Sequence, residues 1–191
     1  MSTVEQLTRD WVRVLVVGEG LCPFAHPVLS RLHIELSDSA DLERVTMHFM
    51  DHLQQVAEAD PQQLPTSLFV TPNVLDSFDQ YWNWVLICDN LLVQMGYEGV
   101  LQLATFHPQY LFEGEDEDDM SHFTNRSPYP MLHIIREDDM EQALASVRFP
   151  ERIPERNREH IRRLGKEGLL QLMPALAQSR LFQDVTGHQD S

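Results

Sequence analysis

Short apolar segments typical of strands alternate with longer amphipathic segments typical of helices along most of this chain. Four segments predict strands: RLHIELSD, TSLFVTP, GVLQLATF and MLHIIRE, at residues 31–38, 66–72, 99–106 and 131–137. Helices between strands imply crossover connections, so we predict a single α/β domain with a mixed sheet of four to five strands covered by helices. The third segment is apolar throughout, which predicts a central strand. Ferredoxin-like and thioredoxin-like arrangements are both compatible with this pattern.

Apolar spacing predicts the helices, and capping or breaking residues predict where they begin and end. The predicted helices span residues 3–17, 39–59, 73–96, 138–148 and 154–178. Ser39 or Asp41 would cap the second helix and Asn73 the third. Gly165 would interrupt the last helix, and the segment VRVLVV at residues 12–17 is also compatible with a strand.

The length of 191 residues suits one domain, which we place at residues 1–181 with a flexible tail at 182–191. Asp and Glu outnumber Lys and Arg by 30 to 14, and the formal charge is −16. A protein this acidic repels nucleic acids and anionic membranes, so we exclude both as partners. The two cysteines, Cys22 and Cys88, form no CxxC motif, and neither a signal peptide nor a membrane span is apparent. We therefore expect an acidic, soluble, cytoplasmic protein.

The stretch at residues 105–137 is mostly irregular, and its irregular part separates the third and fourth predicted strands; segments of this length are often functional. His107 directly follows the third strand, and ligands of open α/β sheets bind beyond the carboxyl ends of strands. His107 could therefore be a general base or metal ligand, or a histidine held by one backbone carbonyl. The acidic run at residues 113–119 lacks the spacing of a calcium loop and predicts a solvated, flexible loop.

Cys22, in the loop LCPFAHP, and His133, in the fourth strand, complete the candidate catalytic residues with His107. A thiol in a shaped loop can be a nucleophile or a metal ligand, although most free cysteines are small buried apolar groups. His133 shares a strand face with Met131 and Ile135, which favours a hydrogen-bonded core residue. The three candidates could form a Cys–His nucleophilic site, or bind a transition-metal ion through Cys22 and His107.

Seven further polar residues are candidates for binding a substrate. They lie in the segments NRSPYP, MLHIIRE and IPERN and comprise Asn125, Arg126, Ser127, Tyr129, Arg136, Arg156 and Asn157. Arg126 and Arg136 could hold an anionic group, because a guanidinium makes parallel hydrogen bonds to a carboxylate or phosphate. Alternatively, these polar groups satisfy buried backbone groups of the irregular segments. His48 and His52 are one helical turn apart, but without an HExxH motif they predict a helix face rather than a metal site.

Four segments together resemble a known family. GLCPFA, GYEGVLQLATFHPQYLF, TNRSPYPMLHIIRE and IPERN occur in the order found in the bacterial and plant family catalogued as domain of unknown function 1415. The resemblance covers nearly the whole chain, implies a soluble single-domain protein and assigns no catalytic residue. From the residues themselves, we expect an enzyme that acts on a small polar or anionic metabolite at the Cys/His site. The alternative is a non-catalytic module that binds a metabolite or a protein.

Overall fold

The computed structural model describes residues 3–145 and 147–182. These residues form the helices α1 (Thr3–Trp11), α2 (Ala25–Val28), α3 (Leu42–Glu58), α4 (Phe78–Gln94), α5 (Glu137–Ala145) and α6 (Ile153–Leu172). They also form the strands β1 (His33–Leu36), β2 (Thr66–Val70), β3 (Leu101–Phe106) and β4 (Met131–Arg136). The shorter helices are a π-helical turn, Val12–Val17, and 3₁₀ turns at Leu29–Arg31, Met120–Thr124, Pro150–Arg152 and Pro174–Gln178.

The four strands form one mixed sheet in the order β1-β2-β4-β3, which confirms the predicted α/β class. β1 and β2 are parallel, and β4 is antiparallel to both of its neighbours. The prediction that β3 is central is wrong, because β4 inserts between β2 and β3 and leaves β3 at the edge. β3 is apolar because both of its faces are packed, with Leu101 on one side and Phe106 on the other. From β1 onwards the order βαβαββαα also differs from the ferredoxin-like βαββαβ order.

Helices cover both faces of the sheet, and each face has its own apolar core. Phe49 of α3 and Trp84 of α4 pack on one face, with ring centroids 5.7 Å apart. Trp11 of α1 and Ile161 of α6 belong to the core on the other face. Successive side chains of a strand point to opposite faces, so each inner strand contributes to both cores. None of the described helices is long and apolar enough to cross a membrane.

Two predicted helix starts have different outcomes. The Asp41 side chain accepts hydrogen bonds from the backbone N–H groups of Glu43 and Arg44, which confirms Asp41 as the cap of α3. The prediction that Asn73 caps α4 is wrong, because α4 begins five residues later, at Phe78. Leu75 has a left-handed backbone with a φ of 66°, which interrupts the helical pattern before α4.

The remaining boundaries differ from prediction in detail. The loop LCPFAHP was predicted to be irregular but contains the beginning of α2. Gly165 has a φ of 64° and kinks α6, as its position in the sequence predicts. Phe182 stacks on Phe123 with ring centroids 5.2 Å apart, and the rest of the predicted tail lies outside the described residues.

The segment after α1 is helical, but its hydrogen bonds are those of a π-helix. The N–H of Gly18 donates to the carbonyl of Arg13 at 3.1 Å, five residues earlier in the chain. This wider turn brings the Val14 carbonyl oxygen against the Cα of Gly18, where a Cβ atom would collide with it. A glycine is therefore required where the π-helical turn ends.

We expect Gly18→Ala to lower the free energy of unfolding by on the order of 3 kcal/mol, because backbone atoms must move to admit the methyl group. Gly114→Ala is the control, since Gly114 has a φ of 82° with open space around its Cα. Only the left-handed backbone opposes that substitution, at about 1 kcal/mol. Urea unfolding measures both values, and equal losses would show that the collision with Val14 is relieved without cost.

Candidate functional site

A cavity of about 430 Å³ lies on the face of the sheet that packs against α1. Its walls come from the π-helical turn, the segment around α2, the strands β2 and β4, and α5. The wall is mainly apolar and includes Trp11, Val12, Leu68, Phe106, Ile135 and Met140. The polar groups in the wall are few and comprise Cys22, Arg31, Gln62, Thr66, His133 and Asp139. Small-molecule sites in proteins usually have this size and this mixture of groups.

His133 is held in one orientation by its neighbour on β2. Its Nε2 lies 2.6 Å from Thr66 Oγ1, and the Thr66 hydroxyl donates to the carbonyl of Ile134 at 3.1 Å. When the Thr66 hydroxyl uses its one hydrogen for Ile134, Nε2 carries the proton of the ring and donates to Thr66. Nδ1 then has a free lone pair and no hydrogen-bond partner among the described residues. Burial lowers the pKa of His133 to about 4, so the imidazole is neutral at pH 7.

Cys22 lies on the loop that precedes α2, and its neighbours are held by α6. Arg156 Nη2 donates to the carbonyl of Gly20 at 2.8 Å, and Asn157 Nδ2 donates to the carbonyl of Leu21 at 2.5 Å. The segments IPERN and GLCPFA, which are far apart in sequence, are therefore in direct contact. Burial raises the pKa of the Cys22 thiol, which favours the protonated form at neutral pH.

His107 does not line this cavity. Its Nε2 donates to the carbonyl of Leu75 at 2.9 Å, and its Nδ1 accepts from the backbone N–H of Gln109 at 3.0 Å. Burial lowers the pKa of His107 to about 4, so the ring is a neutral group with both nitrogens in use. It fixes the left-handed Leu75 at the turn before α4. A catalytic or metal-binding role for His107 stays a prediction from the sequence.

The polar residues of the irregular segment bind backbone groups. Asn125 Nδ2 donates to the carbonyl of Thr105 at 3.1 Å, and Ser127 Oγ donates to the carbonyl of Tyr129 at 2.6 Å. The Tyr129 ring packs against the apolar core on the α1 side of the sheet. These three residues therefore hold the segment in place, and their proposed contacts with a substrate are untested.

The two arginines that were expected to hold an anion lie apart from the cavity and from each other. Arg136 donates to three backbone carbonyls at the end of α3 and just after it, those of Val56, Ala59 and Leu64, at 2.5, 2.9 and 3.2 Å. Arg126 donates to the carbonyl of Tyr110 at 3.1 Å and lies over the ring of Phe123. It also borders a separate surface groove with Lys166 and Arg180. Binding of an anion by Arg126 or Arg136 stays a prediction, and Arg136 uses Nε and Nη2 to hold these backbone carbonyls.

The acidic run was predicted to be a solvated, flexible loop, but ion pairs attach it to α6. Arg162 lies 3.0 Å from Asp119 and 3.1 Å from Glu115, and Arg158 lies 3.5 Å from Glu115. The hydrogen bond from Arg162 holds the pKa of Asp119 well below its usual range. Exposed pairs of this kind contribute little stability individually, but together they fix where the loop lies.

A second group of polar side chains lies on the opposite face of the sheet, between β1 and α3. One nitrogen each from His33 and His52 and one oxygen of Glu35 all lie within 4.8 Å of one another. No motif in the sequence indicates this group, and the spacing of His48 and His52 predicted only a helix face. The spacing of His48 and His52 within α3 could not show that β1 places His33 and Glu35 beside them. In the part of the chain that the structure describes, Cys22 and His107 belong to no such group.

The fold and the cavity together define a mixed α/β domain with an internal site of the size that small molecules occupy. The family model described as "Protein of unknown function (DUF1415)" matches residues 3–171, and the chain belongs to that family. No curated protein and no solved structure is significantly similar to the chain.

The buried neutral histidines predict how stability depends on pH. The pKa of His107 is about 4 when folded, against an ordinary 6.5, so the unfolded chain takes up a proton first as the pH falls. Stability that is present above pH 6.5 is therefore lost as the pH approaches 4. For one such histidine the loss at pH 5 is on the order of 2 kcal/mol.

Between pH 7 and pH 5 the free energy of unfolding should fall less in His107→Gln than in the wild type. We expect the difference to be on the order of 2 kcal/mol. The glutamine amide can still donate to Leu75 but does not titrate. His26→Gln, which removes an exposed histidine, is the control and should leave the fall unchanged. An equal fall in His107→Gln would show that His107 is protonated in the folded protein at pH 5.

Proposed function

We propose that this protein binds a small molecule with an apolar body and one polar end in the cavity beside Cys22 and His133. The observation that supports the proposal is the cavity itself, which is mainly apolar and contains a few polar side chains. Nδ1 of His133, which has no partner among the described residues, is available to form a hydrogen bond with the ligand. Arg31 lies at the exposed border, where one of its nitrogens donates to the Gln62 carbonyl at 2.9 Å. Its remaining N–H groups suit an anionic group on the ligand.

The fluorescent probe 1-anilinonaphthalene-8-sulfonate, which has an apolar body and an anionic end, tests this proposal directly. Ala143→Phe places a ring in the wall of the cavity, because Ala143 of α5 lines it. We expect this substitution to weaken binding of the probe at least tenfold. Ala145→Phe adds the same ring to an exposed position on the same helix and should leave binding unchanged. If the two variants have equal near-ultraviolet circular dichroism and bind the probe with equal affinity, the probe binds outside the cavity.

A catalytic role is the second candidate, because Cys22 and His133 line the same cavity. The thiol is protonated and the imidazole is neutral, which are the forms that a nucleophile and its general base have before reaction. Transfer of the thiol proton to His133 Nδ1 would leave a thiolate at Cys22 and an imidazolium at His133. The thiolate would then bond to an electrophilic carbon of the bound molecule and displace a leaving group, which takes up the proton from the His133 imidazolium.

Alkylation by iodoacetamide near pH 7 distinguishes catalysis from binding alone. If His133 acts as the base, His133→Gln should slow alkylation of Cys22 at least tenfold without a change in melting temperature. Cys88 is an internal control, because it is fully buried in α4 on the other face of the sheet and burial raises its pKa. Peptide mass spectrometry measures both cysteines. An unchanged rate at Cys22 would remove His133 as its base and leave the binding function.

A further inference from the structure

Three imidazole rings surround one carboxylate on the face of the sheet opposite the cavity. β1 places His33 and Glu35 on the same side, because they are two residues apart on a strand. α3 places His48 and His52 one turn apart on the side that faces β1. The four side chains thus come from two elements that pack on each other, and they converge on Glu35.

The distances show how closely these groups approach. His33 Nε2 lies 2.9 Å from Glu35 Oε2, and His48 Nε2 lies 2.9 Å from Glu35 Oε1. His52 Nδ1 lies 3.9 Å from Glu35 Oε2. Burial by itself would raise the pKa of Glu35, but hydrogen bonds from His33 and His48 lower it below its ordinary value. The carboxylate is therefore ionised and faces nitrogen donors on more than one side.

These separations are close to those of ligands around a metal ion. Bonds of about 2.1 Å in tetrahedral geometry put ligand atoms about 3.4 Å apart. The donor atoms of His33, Glu35 and His52 all lie within 4.8 Å of one another, so shifts of about 1 Å would bring them into range. The His33 side chain is 41% exposed and can rotate, and solvent can reach the group through it.

The buried histidine of the group is already oriented by its surroundings. His52 Nε2 lies 2.7 Å from the hydroxyl of Ser67, the residue that pairs with His33 across β1 and β2. Its ring also stacks on the rings of Phe69 and His33. The centroids of the His52 and His33 rings are 5.4 Å apart. When Nδ1 of His52 binds a metal ion, Nε2 carries the ring proton and can donate to Ser67, as metal-binding histidines typically do with an outer partner. Nδ1 is then the nitrogen on the side of Glu35, where it can exchange its contact with the Gln55 side chain for a metal bond.

We propose that His33, Glu35 and His52 bind a divalent transition-metal ion of the zinc class. Imidazole and carboxylate groups together suit Zn²⁺ and its neighbours rather than Ca²⁺ or Mg²⁺. Three protein ligands leave the fourth position of a tetrahedral ion for water. His48, which binds the second oxygen of Glu35, orients the carboxylate from outside the metal shell. The site is independent of the cavity, because the two lie on opposite faces of the sheet.

Zinc titration of untagged protein after treatment with a chelator tests the proposal. Isothermal titration calorimetry should show one Zn²⁺ bound per chain, with a rise in melting temperature because the ion binds only the folded state. We expect His33→Gln and Glu35→Gln to weaken binding at least 100-fold, and His48→Gln to weaken it about tenfold. Co²⁺ added to the wild type should give a visible absorption spectrum typical of an ion with a low coordination number. Glu35→Gln should not give this spectrum.

Two control variants separate this site from other histidines and from the cavity. His160→Gln removes an isolated histidine that lies 2.8 Å from Glu19, and it should bind Zn²⁺ like the wild type. Cys22→Ala should also bind Zn²⁺ normally, since Cys22 lies on the other face. Absence of a stoichiometric Zn²⁺ in the wild type would overturn the proposal. Equal affinity in Glu35→Gln and the wild type, or loss in Cys22→Ala alone, would overturn it as well.

Discussion

Buried backbone carbonyl groups in the irregular segments are the constraint on which the rest of this structure depends. A buried acceptor without a partner costs about 1–3 kcal/mol, and helix and sheet hydrogen bonds do not reach these segments. Arg136 satisfies three carbonyls where α3 ends, His107 satisfies that of Leu75, and Asn157 satisfies that of Leu21. Side chains that could take part in catalysis or ligand binding are thus used to hold the loops. The loops in turn determine where the cavity lies.

The same constraint explains why the cavity forms beside Cys22. In the loop before α2, the backbone N–H groups of Gly20 and Leu21 donate to carbonyls of the π-helical turn, and α6 satisfies the carbonyl oxygens of the same two residues through Arg156 and Asn157. Opposite this loop, β2 and β4 present Thr66 and His133, whose hydrogen bond fixes which ring nitrogen is free. Polar contacts therefore hold two walls of the cavity in place, while its lining is mainly apolar.

Periodicity and capping in the sequence predict all four strands and most of the helices, because those signals are local. The position of β3 in the sheet is not determined by local sequence. Its apolar composition reflects packing on both faces, and it lies at the edge because β4 inserts beside β2. The start of α4 was mispredicted because Leu75 adopts a left-handed backbone that His107 stabilises from 32 residues away. The sequence identified Cys22 and His133 from their local settings, but only the sheet shows that they line one cavity.

The alternation of side chains along β2 separates two kinds of chemistry. Thr66 points to the cavity, where burial keeps both the Cys22 thiol and the His133 imidazole uncharged, and a mainly apolar wall suits a ligand with an apolar body. Ser67, the next residue, points to the other face and binds His52 beside the ionised Glu35. A carboxylate among imidazoles suits a cation and would not suit an apolar ligand. One strand can support both groups because adjacent residues of a strand point to opposite faces of the sheet.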